Sequence, residues 1–510
     1  MSGAVSSKLR LPRLTSPYPL YPLLLAAYAV LFLYSTNLGQ TTADQVLPVL
    51  LISVGVCAVL LLVMAFVLKD WWAAALLLAA AEAVFFGYRN VAIIVRHTVV
   101  AGWPMRFMFA AIVIAALVLV WRRRAWLRGL TRFLNVGIGI LVLVTLVSIV
   151  PHELSEPPAV THVDIPASAP LPPGTPMPDI YYLIFDRYGS ERSLDLLYGI
   201  KEHGLVDWLE QHGFYVAHDS HANYHRTELS LVSTLNMSMI DDFDTVNQRL
   251  QDHAVGRFLK GLGYKYIHIG SWFAPTKTNV MADTVLDIDE PSPFAVAMHD
   301  STLLPKVQRL LGLKARYAYR DIHHAWSSFG LQAIQDVETM PGPKFVFAHI
   351  LLPHPAYIYD RNGKYLSHAE SAAMTESQAY LEQKLYLDKR IEGFLAPLMA
   401  LPEDKRPIII VQSDEGPYPA AYVAGGRDWD WANASDDDIN AKFGILNAQY
   451  WPGQADTGLY QTITSVNTFR ALFSRYFNAD LPLLPDRSLA PSSSTPGGFI
   501  DVTDRLQPGR

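Results

Sequence analysis

Five apolar runs fill the first 150 residues of the chain, at roughly 18–37, 46–68, 71–88, 106–121 and 133–150. Each holds about 16–23 residues and almost no charge. Crossing the hydrocarbon core of a bilayer takes about 20 apolar residues, with a lower limit near 17. The runs therefore predict an α-helical bundle of about five transmembrane helices, of which the fourth is the shortest. The first run is too long for a cleaved signal peptide and shows no small-residue cleavage site. Glu82 sits inside the third run, where a carboxylate facing lipid is costly. It is either a functional group or a carboxyl turned into the bundle and bonded to a neighbouring helix. A single such group is thin equipment for a transporter, and a membrane anchor fits these residues better.

Charge divides the chain at the same place. Residues 1–150 carry 12 Lys and Arg against 3 Asp and Glu, whereas 151–510 carry 29 against 44. The net charge of −6 thus averages two chemically different parts, and 15 of the 16 histidines lie in the second. This composition excludes a disordered chain, a collagen and a basic nucleic-acid binder. Cys57 is the single cysteine, which excludes an intramolecular disulfide. Lys and Arg concentrate on cytoplasmic loops. Lys8, Arg10, Arg13, Lys69, Arg122, Arg123, Arg124, Arg128 and Arg132 fall on one side of a five-span bundle, against Arg89, Arg96 and Arg106 on the other. The expectation is a multi-pass protein of the cytoplasmic membrane, with a cytoplasmic N-terminus and everything after residue 150 outside.

Residues 151–178 contain nine prolines. Such a stretch resists helix and sheet and reads as an extended, semi-rigid stalk. From 179 to 490, β-branched and aromatic runs occur at Ile180–Phe185, Tyr264–Ile269, Phe345–Ile350, Ile408–Val411 and Phe443–Leu446. They alternate with helical patterns at about 202–212, 229–239, 254–262, 376–400 and 466–477. This alternation predicts an α/β domain with a mostly parallel, buried central sheet. Residues 491–510, with Ser492-Ser493-Ser494 and Gly497-Gly498, read as a flexible tail.

Ligands of open α/β sheets sit beyond the carboxyl ends of strands. Two strands here run into acids, one into Asp186 and the other into Ser413-Asp414-Glu415-Gly416. An acid after a strand is often only a turn or cap residue. Two such ends, one with adjacent carboxylates, point towards a metal site. Thr227 precedes an apolar helical run within Asn223–Leu231, where free N–H groups favour an anion. A plain N-cap threonine is the alternative, and Ser230 would cap equally well. His349-Ile350-Leu351-Leu352-Pro353-His354-Pro355 follows a third strand. His218, His221 and His225 make a histidine-rich loop before Thr227, as metal ligands or as a solvated rim. Asp436-Asp437-Asp438 reads as a solvated acidic loop, and Trp429 and Trp431 as packing or as a glycan or lipid surface. No Gly-rich nucleotide loop and no basic aromatic patch for nucleic acid is present.

Taken in order, four elements resemble the sulfatase-like membrane proteins of the alkaline phosphatase superfamily. They are the strand ending in Asp186, the Tyr224–Thr227 segment leading into Leu229–Asn236, the Phe345–Pro355 stretch, and Ser413-Asp414-Glu415-Gly416-Pro417. The layout is similar to that of lipoteichoic acid synthases and phosphoethanolamine transferases, and the resemblance covers most of 179–490, including Asn467–Asp486. It implies about five membrane spans followed by an extracytoplasmic α/β catalytic domain. It further implies that Asp186, Thr227, Asp414 and Glu415 surround one divalent metal ion and that Thr227 is the nucleophile. His354 would contact the transferred group or help to protonate the leaving oxygen. Glu415 departs from the pattern, which usually has histidine there. The resulting all-oxygen set is hard in character and favours Mn²⁺, Mg²⁺ or Ca²⁺ over Zn²⁺. Sulfatases need a cysteine or serine, oxidised to formylglycine, where this chain has Thr227, so ordinary sulfuric ester hydrolysis is disfavoured.

The leading expectation is a membrane-anchored, metal-dependent phosphotransferase or hydrolase. Its substrates would be phosphoester-linked lipid headgroups or cell-envelope glycans, and its partners the lipid bilayer and a lipid-linked or glycan substrate. The alternative is a catalytically silent envelope protein that keeps the fold and binds a glycan or a partner, a reading that Glu415 supports and Asp186, Thr227 and Asp414 oppose.

Overall fold

The computed structural model describes residues 18–38, 41–97, 103–122, 126–155, 176–241, 243, 245–313, 318–425, 429–454, 457–492 and 498–506, with only the backbone of 89–97 and 103–109. Lys8, Arg10, Arg13, Arg123, Arg124, stalk residues 156–175 and tail residues 493–497 and 507–510 lie outside the described residues, as do the side chains of Arg89, Arg96 and Arg106.

The chain begins with helices α1 (Tyr21–Ser35), α2 (Ala43–Leu68), α3 (Trp71–His97), α4 (Trp103–Arg122) and α5 (Leu127–Leu154). It continues through β1 (Ile180–Phe185), α6 (Glu191–Tyr198), α7 (Gly204–Gln211), β2 (Tyr215–Val216), α8 (Thr227–Asn236), α9 (Val246–Gln251), α10 (Ala254–Gly261), β3 (Lys265–Ile269) and β4 (Thr284–Leu286). Then come α11 (Pro293–Ser301), α12 (Leu304–Leu310), α13 (Tyr319–Asp336), β5 (Lys344–Ile350), α14 (His368–Ala372), α15 (Glu376–Ala400) and β6 (Ile408–Gln412). The last elements are α16 (Ala420–Gly425), α17 (Asp436–Phe443), β7 (Asn447–Tyr450), α18 (Thr468–Tyr476), β8 (Leu489–Pro491) and β9 (Phe499–Asp501). These elements fall into two compact units. One is built from the first 156 residues together with 291–319, the other from 157–290 and 320–510.

In the first unit α1 to α5 coincide with the five apolar runs. By length and composition α2, the Trp71–Tyr88 part of α3, and α5 are long and apolar enough to cross a membrane. α1 and the Ala110–Arg122 part of α4 are shorter apolar helices. The start of α1 is satisfied by a side chain from α5. Asn135 Oδ1 accepts from the Leu20 and Tyr21 N–H groups at 3.0 and 2.9 Å, and its Nδ2 donates to the Tyr18 carbonyl at 2.8 Å. A helix start otherwise leaves such N–H groups without partners. Glu82 is buried and hydrogen-bonded to Cys57 of α2, a carboxyl turned into the bundle. The proline-rich region begins as helix, since Pro151 to Leu154 form the last turn of α5. Residues 291–319, which the sequence places in the outer domain, group with this unit.

In the second unit, seven strands among the described residues form one sheet in the order β2-β7-β6-β1-β5-β3-β4. β6, β1, β5, β3 and β4 run parallel, and β7 and β2 extend the β6 edge antiparallel in turn. Every residue of β1, β5 and β6 is buried, as expected of a parallel sheet covered on both faces. Tyr181, Leu183 and Phe185 enter one core with α7, α13 and α15. Ile180, Tyr182 and Ile184 enter the other with α8, α10 and α18.

Three local expectations change. The run Phe443–Leu446 is not a strand. Phe443 ends α17, and the strand is Asn447–Tyr450, four residues later. Asp436-Asp437-Asp438 is not a loop but the first turn of α17, closed by a capping box between Ser435 and Asp438, where carboxylates favour the helix start. The tail is partly docked, since β9 pairs with β8 and Val502 is fully buried with Trp431 and Ala490. Trp431 is therefore packing.

Candidate metal centre and active site

β1 is the middle of three adjacent parallel strands, and the side chains of interest converge beyond their carboxyl ends. Ile184 lies opposite His349 of β5 and Gln412 of β6, so His349 stands at the end of the paired strands and Asp186 and Asp414 each follow two residues beyond that level. One ligand atom from each lies within 4.8 Å of the others, and all three residues are buried. His349 comes from the strand segment noted in the sequence but was not expected among the ligands. Its place depends on which strand pairs with β1, and no local motif records that.

Asp186 Oδ1, His349 Nε2 and Asp414 Oδ2 are buried without a hydrogen-bond partner. Burial and the neighbouring Asp414 raise the Asp186 pKa well above the ordinary carboxylate value, and burial raises that of Asp414. Arg187 Nε lies 3.9 Å from Asp186 Oδ1, and a cation bound between the two carboxylates would favour their charged forms further. Burial pushes the His349 pKa down to about 3, so the imidazole is neutral. His349 Nδ1 lies 2.9 Å from Thr276 Oγ1, which itself reaches the Phe273 carbonyl. Thr276 Oγ1 also lies 2.7 Å from Ser271 Oγ; with Thr276 donating to Ser271 or to Phe273, the His349 Nδ1–H donates to Thr276 and Nε2 presents its lone pair to the carboxylates. A second group orienting the imidazole in this way is the usual support of a metal ligand. The donor atoms therefore fit a divalent ion.

Thr227 is the first residue of α8, and its side chain reaches the Asp414 carboxylate. Buried Asn223 and Tyr224 set its position. Asn223 donates to the Arg487 carbonyl and accepts from the Val466 N–H, each at 2.8 Å. The Tyr224 hydroxyl bonds both the N–H and the carbonyl of Ile240. The residues Leu229–Asn236 that follow are buried.

Glu415 lies outside this trio, although its Oε2 is likewise buried without a hydrogen-bond partner. Its Oε1 accepts from Arg187 Nε at 3.1 Å and lies 3.0 Å from Lys442 Nζ. Both cations lie over the Tyr418 ring, at 3.4 Å for the guanidinium and 3.8 Å for the ammonium. Arg187 has a positive φ of 62°, and its N–H donates to Asp414 Oδ1 at 3.3 Å. A non-glycine residue in the left-handed region is held there by its surroundings. Gly416 follows because a Cβ there would stand 2.4 Å from the Ala441 carbonyl and 2.7 Å from that of Lys442.

His354 is carried by a loop whose backbone is tied to β1, its N–H donating to the Asp186 carbonyl at 3.2 Å. Gln383 of α15 donates to the Pro353 and His354 carbonyls. Burial, then Arg187 and His323, lower the His354 pKa well below its ordinary value, so the ring is neutral. Its Nδ1–H faces the Pro355 carbonyl, which leaves Nε2 as an acceptor. In the histidine-rich loop, His218 pairs with Glu191 and Glu210, and His225 is buried.

No protein-family model and no curated protein matches the chain. Among solved structures it is similar to the C-terminal periplasmic domain of EcEptC from Escherichia coli in complex with Zn, at 13% identity over 64% of this chain and 92% of that one, with a TM-score of 0.42. It is also similar to the soluble domain of lipooligosaccharide phosphoethanolamine transferase A from Neisseria meningitidis, at 12% identity over 61% and 91% of the two chains, TM-score 0.42. A protein in the alkaline phosphatase superfamily from Vibrio parahaemolyticus matches at 13% identity over 61% and 72%, TM-score 0.38.

Proposed function

We propose that the chain is a membrane-anchored, metal-dependent phosphoester transferase or hydrolase in which Thr227 is the nucleophile. The observation that supports this reading most is the buried trio of Asp186, His349 and Asp414, with a lone pair of each unpartnered, beside a threonine at a helix start. Asp186, His349 and Asp414 would hold the ion, with the Thr227 hydroxyl next to it. The imidazole brings Zn²⁺ into range beside Mn²⁺ and Mg²⁺. When bound, a divalent cation supplies positive charge and Lewis acidity at the transferred group.

The chain's own residues supply the rest. The first turn of α8 aims free N–H groups and the positive end of the helix dipole at an anion beside Thr227. The Thr227 oxygen attacks phosphorus as its proton passes to the Asp414 carboxylate. The bond to the leaving oxygen breaks, and that oxygen takes a proton from solvent. In the second half an acceptor hydroxyl or water attacks the phosphothreonine and gives its proton to His354 Nε2, which passes it on to solvent and so replaces the proton taken by the first leaving oxygen. Thr227 leaves and recovers its proton from Asp414. Glu415, neutralised by Arg187 and Lys442, fixes two cations at the edge of the site.

The membrane reading is that all five helices span, with the N-terminus in the cytoplasm and the second unit outside. A lipid-linked donor or acceptor would then remain close to the chain, which favours transfer over hydrolysis. Thr227→Ala in the full-length protein is expected to lower phosphodiester turnover by about 10³-fold or more while the metal stays bound. Thr227→Ser should keep part of the activity, and mass spectrometry of a quenched reaction should find the added phosphoryl group on the Thr227 peptide. Undiminished turnover in Thr227→Ala would remove the nucleophile assignment.

A further inference from the structure

Residues 291–313 form an element that the membrane reading of the first 150 residues does not use. α11 buries Phe294 and Met298 against Val30 and Tyr34 of α1, Val46 of α2 and Ile149 of α5. Tyr34 and Phe294 meet edge to face, with ring centroids 6.4 Å apart. These partners are the C-terminal end of α1, the N-terminal end of α2 and the C-terminal end of α5, which lie at one end of an up-and-down bundle. The next residues are pinned at the same level. The Leu303 N–H donates to the Phe85 carbonyl at 2.9 Å, and Lys306 Nζ lies 4.1 Å from the centroid of the Tyr88 ring. Tyr88 is the last residue of the apolar run 71–88, before Arg89 and Asn90. Aromatic residues at such an end mark the boundary between hydrocarbon and water.

At that level α12 buries none of its side chains. Leu310 is 86% exposed, and the residues after it continue the pattern, with Leu311 at 64% and Leu313 at 58%. Lys306 and Arg309 are exposed beside them. Leucines of this exposure are disfavoured against water and favoured against acyl chains. Cations next to them suit lipid phosphates.

We propose that Leu304–Leu313 is a monotopic membrane-interface segment. Leu310, Leu311 and Leu313 enter the acyl boundary of the surrounding glycerophospholipid bilayer, and Lys306 and Arg309 lie among its phosphates. The occupant of this apolar surface is lipid because the segment is anchored at the end of helices that cross the same bilayer. The chain leads into the second unit on both sides of 291–319, so the bilayer holds the chain at a second place, far in sequence from α5. The inference rests on the membrane reading of the first unit and is independent of the chemistry at Thr227.

The chain allows a direct test, because Cys57 is the single cysteine among its 510 residues. In a Cys57→Ser background, which keeps a donor for Glu82, cysteines replace Leu310, Leu311 or Leu313, and Val280 in the second unit as an exposed control. Each carries a nitroxide spin label, and the protein is reconstituted into phosphatidylethanolamine and phosphatidylglycerol vesicles. Oxygen concentrates in the bilayer and a nickel chelate stays in water. The labels at 310, 311 and 313 are expected to collide several-fold more with oxygen than with the chelate, and the label at 280 the reverse. Chelate access at 310, 311 and 313 equal to that at 280 would overturn the proposal. So would shielding from both relaxers with spin–spin broadening, which would place a second copy of the chain on the leucines.

Discussion

A nitrogen of His349, rather than an oxygen of Glu415, is grouped with the Asp186 and Asp414 carboxylates. Glu415 follows Asp414 at the end of β6 but turns onto Arg187 and Lys442. His349 lies on β5, across β1 from β6, and its Nε2 is 3.9 Å from Asp186 Oδ2. Thr276 sets that orientation through a hydrogen bond. Thr276→Val is therefore expected to weaken metal affinity by about 10–100-fold with little change in folding, as measured by competition with a chelator. Gly416→Ala acts through the backbone instead. Its methyl group meets carbonyls that cannot swing aside, so a loss of about 1–3 kcal/mol is expected in thermal or denaturant melts. The two acids were legible because each ends a hydrophobic strand. The partners of Glu415 were not, because Lys442 reaches it across a turn and a helix that only tertiary packing brings back.

Among the elements, those with local punctuation are the most legible in the sequence. The helix at 376–400 is capped by Thr375 and Gln378, and the buried strands β1 and β6 are continuous apolar runs. The strand expected at Phe443–Leu446 slipped because an apolar run of that length does not separate a helix end from a strand start. The histidine-rich loop is a clamp between elements. His218 Nδ1 lies 2.6 Å from Glu191 of α6, and Nε2 3.0 Å from Glu210 of α7. Burial works against the charged ring, but the bonds to Glu191 and Glu210 outweigh it and raise the pKa above the ordinary 6.5. A raised pKa means that the clamp stabilises the fold fully below the unfolded value and loses its contribution as pH climbs through the folded one. The melting temperature of His218→Gln should accordingly lie furthest below that of the parent at pH under 6.5, and the gap should close on the alkaline side. A gap independent of pH would show that the charge plays no part. The contribution is modest, since the ring is more than a third exposed and solvent screens it.

For the whole molecule, the split in charge near residue 150 marked the change from apolar helices to α/β domain, yet the split in structure is not a single cut. Residues 291–319 group with the helices, and their short amphipathic pattern cannot be told in sequence from helices of the outer domain. The sheet explains the rest of the site. It places three strand ends side by side, so residues 186, 349 and 414 meet although more than 220 positions separate the first from the last. Elemental analysis tests whether these three residues, and not Glu415, hold a divalent ion beside Thr227. The full-length protein, purified without chelator, is compared with His349→Ala and Glu415→Gln, each verified as folded by its melting curve. One divalent ion per chain is expected in the parent, with its loss in His349→Ala and its retention in Glu415→Gln. No ion in the parent, or an ion lost with Glu415 and kept without His349, would contradict that assignment.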